Sequence, residues 1–398
     1  IDEETNPGKN PLHDAGAYYL QEPSAISVVG KSNIVPGERI LDMCAAPGGK
    51  STYILSKLGG RGLLVSNEIN KQRVTSLGDN LERFGARNAI ITNEDSKRLL
   101  TFFKGFFDKI YIDAPCSGQG MFRKDAYAIE DWSIAKVKEC SNIQKDLIRD
   151  AYAMLRPGGS LIYSTCTFTK IENEDIINDF LGEYKMASLD SMERIWPHID
   201  RGEGHFCARI SKPDSNNDED FGLGDVDFEI ANNKNSKSKN KKASKSKRTS
   251  SGSKIPDDLK KFFLDYLSEN QFEDLQNFKD RLVENKDMIY LASIDQDKLK
   301  GLKVLRNGIL LGQLKKNRFE PAHSLAMALK KSDVKYCLDL DHDSEEIYKY
   351  LEGQPIETGQ SRGWVLVCVE GCSIGWGKES SGVLKNKYPK GLRRVIKR

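Results

Sequence analysis

Two short motifs place a cysteine where a thiol could do chemistry. Asp113-Ala114-Pro115-Cys116-Ser117-Gly118 and Ser164-Thr165-Cys166-Thr167 each follow an apolar run suited to a buried strand. A single cysteine there reads most simply as a small buried residue, and two could be read as a disulfide. No secretory signal opens the chain, and the eight cysteines are scattered without a CxxC pair, so reduced thiols are expected. Cys368 and Cys372 are four apart but have no second pair near them in sequence, so no metal is expected. Two thiols at neighbouring strand tips point instead to one crevice.

A third segment gives that crevice a ligand. Asp42-Met43-Cys44-Ala45-Ala46-Pro47-Gly48-Gly49-Lys50-Ser51 closes the first apolar run, and its small residues let backbone approach a bound molecule. Gly49-Lys50-Ser51 looks like the end of a nucleotide phosphate loop. The first glycine of that pattern would fall on Cys44, so nucleoside triphosphate binding is rejected. Acids stand at four successive strand ends: Asp42, Glu68 after Asn67, Asp95 and Asp113. Glu68 is suited to accept ribose hydroxyls, and Asp95 could meet an adenine amino group.

These residues need a scaffold. Arg39–Met43, Gly62–Ser66, Ala89–Thr92, Phe107–Ile112 and Ser160–Ser164 read as buried strands. Lys50–Leu58, Lys71–Phe84, Ile134–Leu155 and Glu172–Leu181 read as helices between them, with Pro157-Gly158-Gly159 ending the third. The alternation predicts an α/β fold, a parallel sheet with helices on both faces and its ligand at the carboxyl ends of the strands. The 398 residues suffice for two or three domains. Four segments are expected: a catalytic domain over 1–213, an acidic-then-basic disordered linker over 214–254, a small α+β region over 255–330 and a β-rich domain over 331–398. Asp257–Phe272 shows a helical period. The net charge is only +3, yet Lys and Arg crowd the end of the chain. There Tyr388 and Trp376 could stack bases while the cations meet phosphate. No apolar run is long enough to span a bilayer, and a cytoplasmic protein is expected.

Thiols beside a nucleoside-type ligand suit one reaction. Carbon 5 of cytosine is a poor nucleophile, but a thiolate added at carbon 6 makes it an enamine that can take a methyl group. Losing the carbon 5 proton and the thiol then restores the ring. A nearby cation or helix start would favour the thiolate: Lys50 for the cation, and a helix near Ile171 for the dipole. Asp113 could meet the N3–N4 edge of the base, best as a donor with a raised pKa.

The set Asp42 to Lys50, Asn67-Glu68 with Arg73, Asp113 to Ser117 and Ser164 to Thr167 resembles the NOL1/NOP2/Sun (RsmB/NOP) family of RNA 5-methylcytosine methyltransferases. His13-Asp14 and Tyr19-Leu20-Gln21-Glu22-Pro23-Ser24 are similar to its lead-in segment. Gly371–Lys378 and Leu384–Arg393 resemble the PUA-like RNA-binding domain of the bacterial RsmF (YebU) branch. The resemblance implies a class I Rossmann-like methyltransferase sheet and S-adenosyl-L-methionine, held by Cys44, Ala45, Ala46, Pro47, Gly48, Gly49, Lys50, Glu68, Arg73, Asp95 and Asp113. It implies Cys166 as nucleophile and Cys116 as the residue that assists product release, with Asp113 and Lys50 beside them. It implies small-subunit rRNA as substrate and partner; separately, a monomer is expected. It also implies that an RNA-binding segment ahead of Ile1 is missing.

Three rivals remain. A DNA cytosine-5 methyltransferase would attack with Cys116 and hold the base with an E-N-V element, for which Glu172-Asn173-Glu174 is a superficial match. A tRNA-directed enzyme shares the chemistry. A catalytically idle RNA-binding assembly factor would not need both cysteines.

Overall fold

A computed structural model describes residues 6–214 and 254–394. Nearly all of the expected linker, and Lys397 and Arg398 at the basic end, lie outside the described residues. The chain forms two compact units: Tyr18–Val226 with Ser293–Gly308, and Ile1–Ala17 with Asp227–Ala292 and Ile309–Arg398.

The first unit is built on β1 (Arg39–Asp42), β2 (Leu63–Asn67), β3 (Ala89–Thr92), β4 (Phe107–Asp113), β5 (Leu155–Thr165), β6 (Ser188–Ile195) and β7 (His205–Ser211). Across the sheet the order is β3-β2-β1-β4-β5-β7-β6, with Val304–Asn307 added outside β3. β1 to β5 run parallel, as their uninterrupted apolar runs require of strands covered on both faces. β7 and Val304–Asn307 run against these strands, and β6 pairs antiparallel with β7. The strand order reverses between β1 and β4, where an open α/β sheet leaves a crevice.

Helix Arg73–Arg83 buries Val74, Leu77 and Leu81, spaced at three and four residues. Ile40, Leu64, Ile91 and Tyr111 of the sheet pack with these and with Ile54 and Leu58 of helix Gly49–Leu58. Full burial of each such aliphatic side chain contributes about 1.5–3 kcal/mol, which holds the strand tips in place.

Two expectations need correction in this unit. Helix Ile134–Met154 ends before Pro157-Gly158-Gly159, and β5 starts at Leu155 with those residues inside it. The register with β4 slips there, from Phe107↔Leu155 to Lys109↔Ser160, so turn-type residues fill an irregular strand opening. The next helix begins at Glu174, after a loop from Cys166 to Asn173. No helix start directly follows Cys166, and the expected dipole effect on its sulfur has no support.

In the second unit the helical period over 257–272 is broken into Asp257–Tyr266 and Glu269–Asn277, with Leu267 buried between them. A four-stranded and a five-stranded sheet follow. Ser293–Gly308, which lies inside the expected 255–330 segment, groups with the first unit, where Val304–Asn307 pairs with β3. Leu259, Phe262, Phe263, Trp364 and Trp376 share one core. Trp376 is 2% exposed and its Nε1 donates to the Ala322 carbonyl at 2.9 Å, while Tyr388 is 4% exposed. Neither ring is available to stack a base: apolar area won over proximity to the basic end. Among the described residues no helix is long and apolar enough to cross a membrane, and no group of three or more His, Cys, Asp or Glu could hold a metal ion.

Candidate active site

The crevice between β1 and β4 collects the residues singled out above. Cys44 to Gly49 leave β1 and enter helix Gly49–Leu58. Gly48 has φ +115°, a conformation that side chains resist. A Cβ on Gly49 would collide with the Gln21 amide. The loop is pinned from below: the Ala45 N–H donates to the Asn67 carbonyl at 2.8 Å, and the Asn67 side-chain amide donates to the carbonyls of Met43 at 3.2 Å and Glu94 at 2.9 Å. Arg73 clamps its far side, donating to the Ala46 carbonyl at 2.5 Å with Nη1 3.5 Å from Glu68 Oε2.

Glu68 is buried at the tip of β2, with one oxygen accepting the Asn70 N–H at 2.8 Å. Asp42 is fully buried: Oδ2 accepts the Ser51 hydroxyl at 2.6 Å, and Oδ1 has no partner. Burial pushes its carboxyl up to about 6, despite the Ser51 hydrogen bond and the charge of Lys50. An orphaned acceptor, a buried acid beyond it and a glycine pair that tolerates no Cβ together fit a nucleoside ligand bearing hydroxyls, as S-adenosyl-L-methionine does. Asp95 is placed differently. It is exposed and caps helix Ser96–Phe103 by accepting the Arg98 N–H at 2.8 Å.

Lys50 lies buried with Nζ 2.7 Å from Asp113 Oδ2, and the Ser164 hydroxyl donates to Asp113 Oδ1 at 3.0 Å. Partial burial opposes the charged form. The Lys50 ammonium, His205 and the hydrogen bonds from Lys50 and Ser164 outweigh it, and hold the Asp113 carboxyl below the usual aspartate range. The expected raised pKa is therefore overturned: beside a paired lysine Asp113 is an ionised acceptor, not a donor.

The sulfurs of Cys116 and Cys166 lie 3.4 Å apart as free thiols, both half-buried. The hydrogen bond to Cys166, with burial second, drives the Cys116 thiol well above its ordinary value and favours its protonated form. Glu172 welds their loops together, and the sequence reading missed it in this role. Its buried carboxylate accepts the Ser117 N–H at 2.8 Å, the Ser117 hydroxyl at 2.6 Å and the Thr169 hydroxyl at 2.7 Å, with Gln144 at 3.2 Å. Asn173 accepts the Thr165 hydroxyl at 2.6 Å and donates to the Thr167 carbonyl at 3.0 Å. An acid and an amide ahead of a helix were the only local signal. Glu172 is consumed in this bracing, so the E-N-V reading of Glu172-Asn173-Glu174 loses its base-holding carboxylate.

Comparison with known proteins identifies the family. The family model described as 16S rRNA methyltransferase RsmB/F matches residues 32–221. The RsmF rRNA methyltransferase first C-terminal domain matches 265–329, and the methyltransferase RsmF PUA domain matches 337–394. A ribosomal RNA small subunit methyltransferase F of Vibrio vulnificus (strain YJ016) is 33% identical over 97% of this chain and 81% of its own length. The enzyme of that name from Shewanella sp. (strain MR-4) is 30% identical over 98% of this chain and 82% of its own. The crystal structure of NSun6 from Pyrococcus horikoshii with SFG is similar at 27% identity and TM-score 0.45, covering 52% of this chain and 56% of that one. By the extent of the matches to the Vibrio and Shewanella relatives, the chain belongs to the ribosomal RNA small subunit methyltransferase F group of the 16S rRNA methyltransferase RsmB/F family.

Proposed function

We propose that this chain methylates carbon 5 of a cytosine in small-subunit (16S) rRNA through a transient bond between Cys166 and carbon 6 of the base. Family membership makes it an S-adenosyl-L-methionine-dependent methyltransferase. The observation that carries the finer reading is the Cys116–Cys166 sulfur pair, 3.4 Å apart, with Asp113 between it and the cofactor loop in sequence and in the sheet. The names of the relatives carry rRNA as the substrate.

Cys44 to Lys50, Glu68 and Arg73 would hold the donor, with Asp95 at its adenine side. When bound, S-adenosyl-L-methionine supplies an electrophilic methyl group. The residues of the chain do the rest. Cys166, as thiolate, adds to carbon 6 and makes carbon 5 electron-rich. Asp113, held ionised by Lys50, accepts a hydrogen bond from the N4 amino group and keeps the base in the crevice. The target base must leave its stack to reach these groups. Cys116, held as a thiol, donates to the departing Cys166 sulfur and so eases release of the product.

The product tests this reading. Ribosomal RNA treated with the chain and labelled donor, then digested to nucleosides, is expected to carry its label in 5-methylcytidine. Label in an N4-methylated cytidine, or in adenosine or guanosine, would overturn it. Mapping 5-methylcytosine in rRNA and tRNA from cells with and without the gene separates rRNA from the tRNA alternative.

A further inference from the structure

The covalent route leaves one proton without an acceptor. After methyl transfer, carbon 5 still carries its hydrogen, and a Cys116 thiol with a raised pKa is a poor base. His205 answers this need, and nothing in the sequence motifs pointed to it.

His205 is buried at the first position of β7. β7 runs antiparallel to β5, with Ser164 opposite Cys207 and Thr165 opposite Phe206. Residues directly opposite on such a pair share a face. Continuing the register sets His205 against Cys166, on the face where Ser164 meets Asp113. The backbones stay close past the last pair: a Cβ built on Gly120 would lie 2.9 Å from the Cys166 carbonyl oxygen and 3.0 Å from that of Gly204.

The hydrogen bonds around the ring assign its tautomer. The Ser24 hydroxyl donates to the Glu22 carboxylate, so its single proton is committed. Ser24 Oγ is 2.8 Å from His205 Nδ1, and can only accept there. Nδ1 therefore carries the hydrogen, and Nε2 keeps the lone pair. Glu22 backs this arrangement: it accepts the Glu203 N–H at 2.8 Å, and its Oε2 lies 3.7 Å from Nδ1. A carboxylate, a hydroxyl and an imidazole in series orient a base much as a catalytic triad does. Burial, then the charge of Lys50, favours the neutral ring against the pull of Asp113 and Glu22.

We propose that His205, oriented by Ser24 and Glu22, is the general base that removes the carbon 5 proton from the methylated adduct. The proposal rests on the covalent reading above. The Nε2 lone pair takes the proton. The electron pair of the carbon 5–hydrogen bond becomes the carbon 5–carbon 6 double bond. The carbon 6–sulfur bond breaks with its electrons on Cys166 Sγ, next to the Cys116 thiol. The imidazolium then gives its proton to solvent.

Ribosomal RNA carrying [5-³H]cytidine, with methyl-labelled donor, tests each step in one reaction. His205→Gln is expected to transfer about one methyl per enzyme at near the parent single-turnover rate. Tritium release should slow by roughly 10²–10⁴-fold, the usual worth of a general base. The enzyme should then collect as a denaturation-resistant adduct that carries the methyl label, even with Cys116 intact. Ser24→Ala, which removes the acceptor but leaves the ring, should slow tritium release by a smaller factor with methyl transfer unchanged. Equal loss of methyl transfer and tritium release in both variants would overturn the proposal and reduce the triad to a strut between β7 and the start of helix Pro23–Gly30. Unchanged tritium release in His205→Gln would overturn it as well. Cys166→Ala, run alongside, should form no adduct; an adduct there would instead overturn the covalent reading.

Discussion

Two pairs of cysteine sulfurs lie 3.4 Å apart among the described residues, in different surroundings. Cys337 and Cys368 sit on neighbouring parallel strands, Cys337–Leu340 and Gly363–Val369. Cys368 has no exposed surface and shares a core with Leu366, Trp364 and Trp376. Cys116 and Cys166 lie just past the ends of β4 and β5, half-buried, beside an ion pair and above a carboxylate that braces both loops. The sulfur spacing is the same. The difference lies in the surroundings: Cys368 stands inside a strand with other strands and core rings as its neighbours, whereas Cys116 and Cys166 lie in loops past the strand ends.

That comparison can be broken most forcefully at the proposed nucleophile. Cys166→Ala is expected to lower methyl transfer by on the order of 10⁴-fold or more, as removal of a covalent nucleophile does. Adduct trapping on denaturing gels should find none. Equal activity in Cys166→Ala and Cys368→Ala would erase the distinction between the pairs. Cys116→Ala comes next. Multiple turnover should fall by roughly 10²-fold or more, in the range of a lost proton-transfer or hydrogen-bonding group, while the protein–RNA adduct accumulates. Adducts seen only when Cys116 is retained would instead make Cys116 the attacking sulfur.

Glu172→Gln sharpens the role of the brace. An amide cannot accept all the hydrogen bonds that the carboxylate takes from Ser117, Thr169 and Gln144. A loss of about 1–3 kcal/mol is expected in urea unfolding, together with slower turnover. Unfolding that matches the parent would show that the loops hold without it.

The charged neighbour of the Cys116–Cys166 pair gives a pH signature. Asp113 titrates below its ordinary value of about 3.9, held down by Lys50 and Ser164 against partial burial. A lowered acid contributes stability above its unfolded pKa and loses it as pH falls through the folded value. Asp113→Asn should therefore reduce stability near neutral pH and flatten this acid limb in unfolding measured against pH. An unchanged limb would show that the ion pair adds nothing. The smallest effect belongs to Cys368→Ala: about 1–2 kcal/mol for the small cavity left in the core, with single-turnover methyl transfer unaltered.

Much of the crevice was legible in the sequence because its signals are local. Apolar runs marked β1 to β5, and short motifs at their ends marked Cys44 to Lys50, Glu68, Asp113, Cys116 and Cys166. The errors share a cause as well. Pro157-Gly158-Gly159 reads as a stop, yet the pairing of β5 with β4 carries the strand through it. Trp376 and Tyr388 lie next to basic residues in sequence, but their apolar area placed them in a core. Asp113 was assigned a donor's role before its partner Lys50 was visible.

Residue types and their spacing along the chain determined the sheet, the glycine-bearing loop and the two thiol motifs, since periodicity and turn chemistry act over a few residues. Tertiary structure alone decided that Glu172 would brace both cysteine loops, that Val304–Asn307 would extend the sheet beside β3, and that Glu22, Ser24 and His205 would meet across some 180 residues. Hydrogen bonds and ion pairs depend on separation in space, and for groups this far apart in sequence that separation exists only once the sheet has closed.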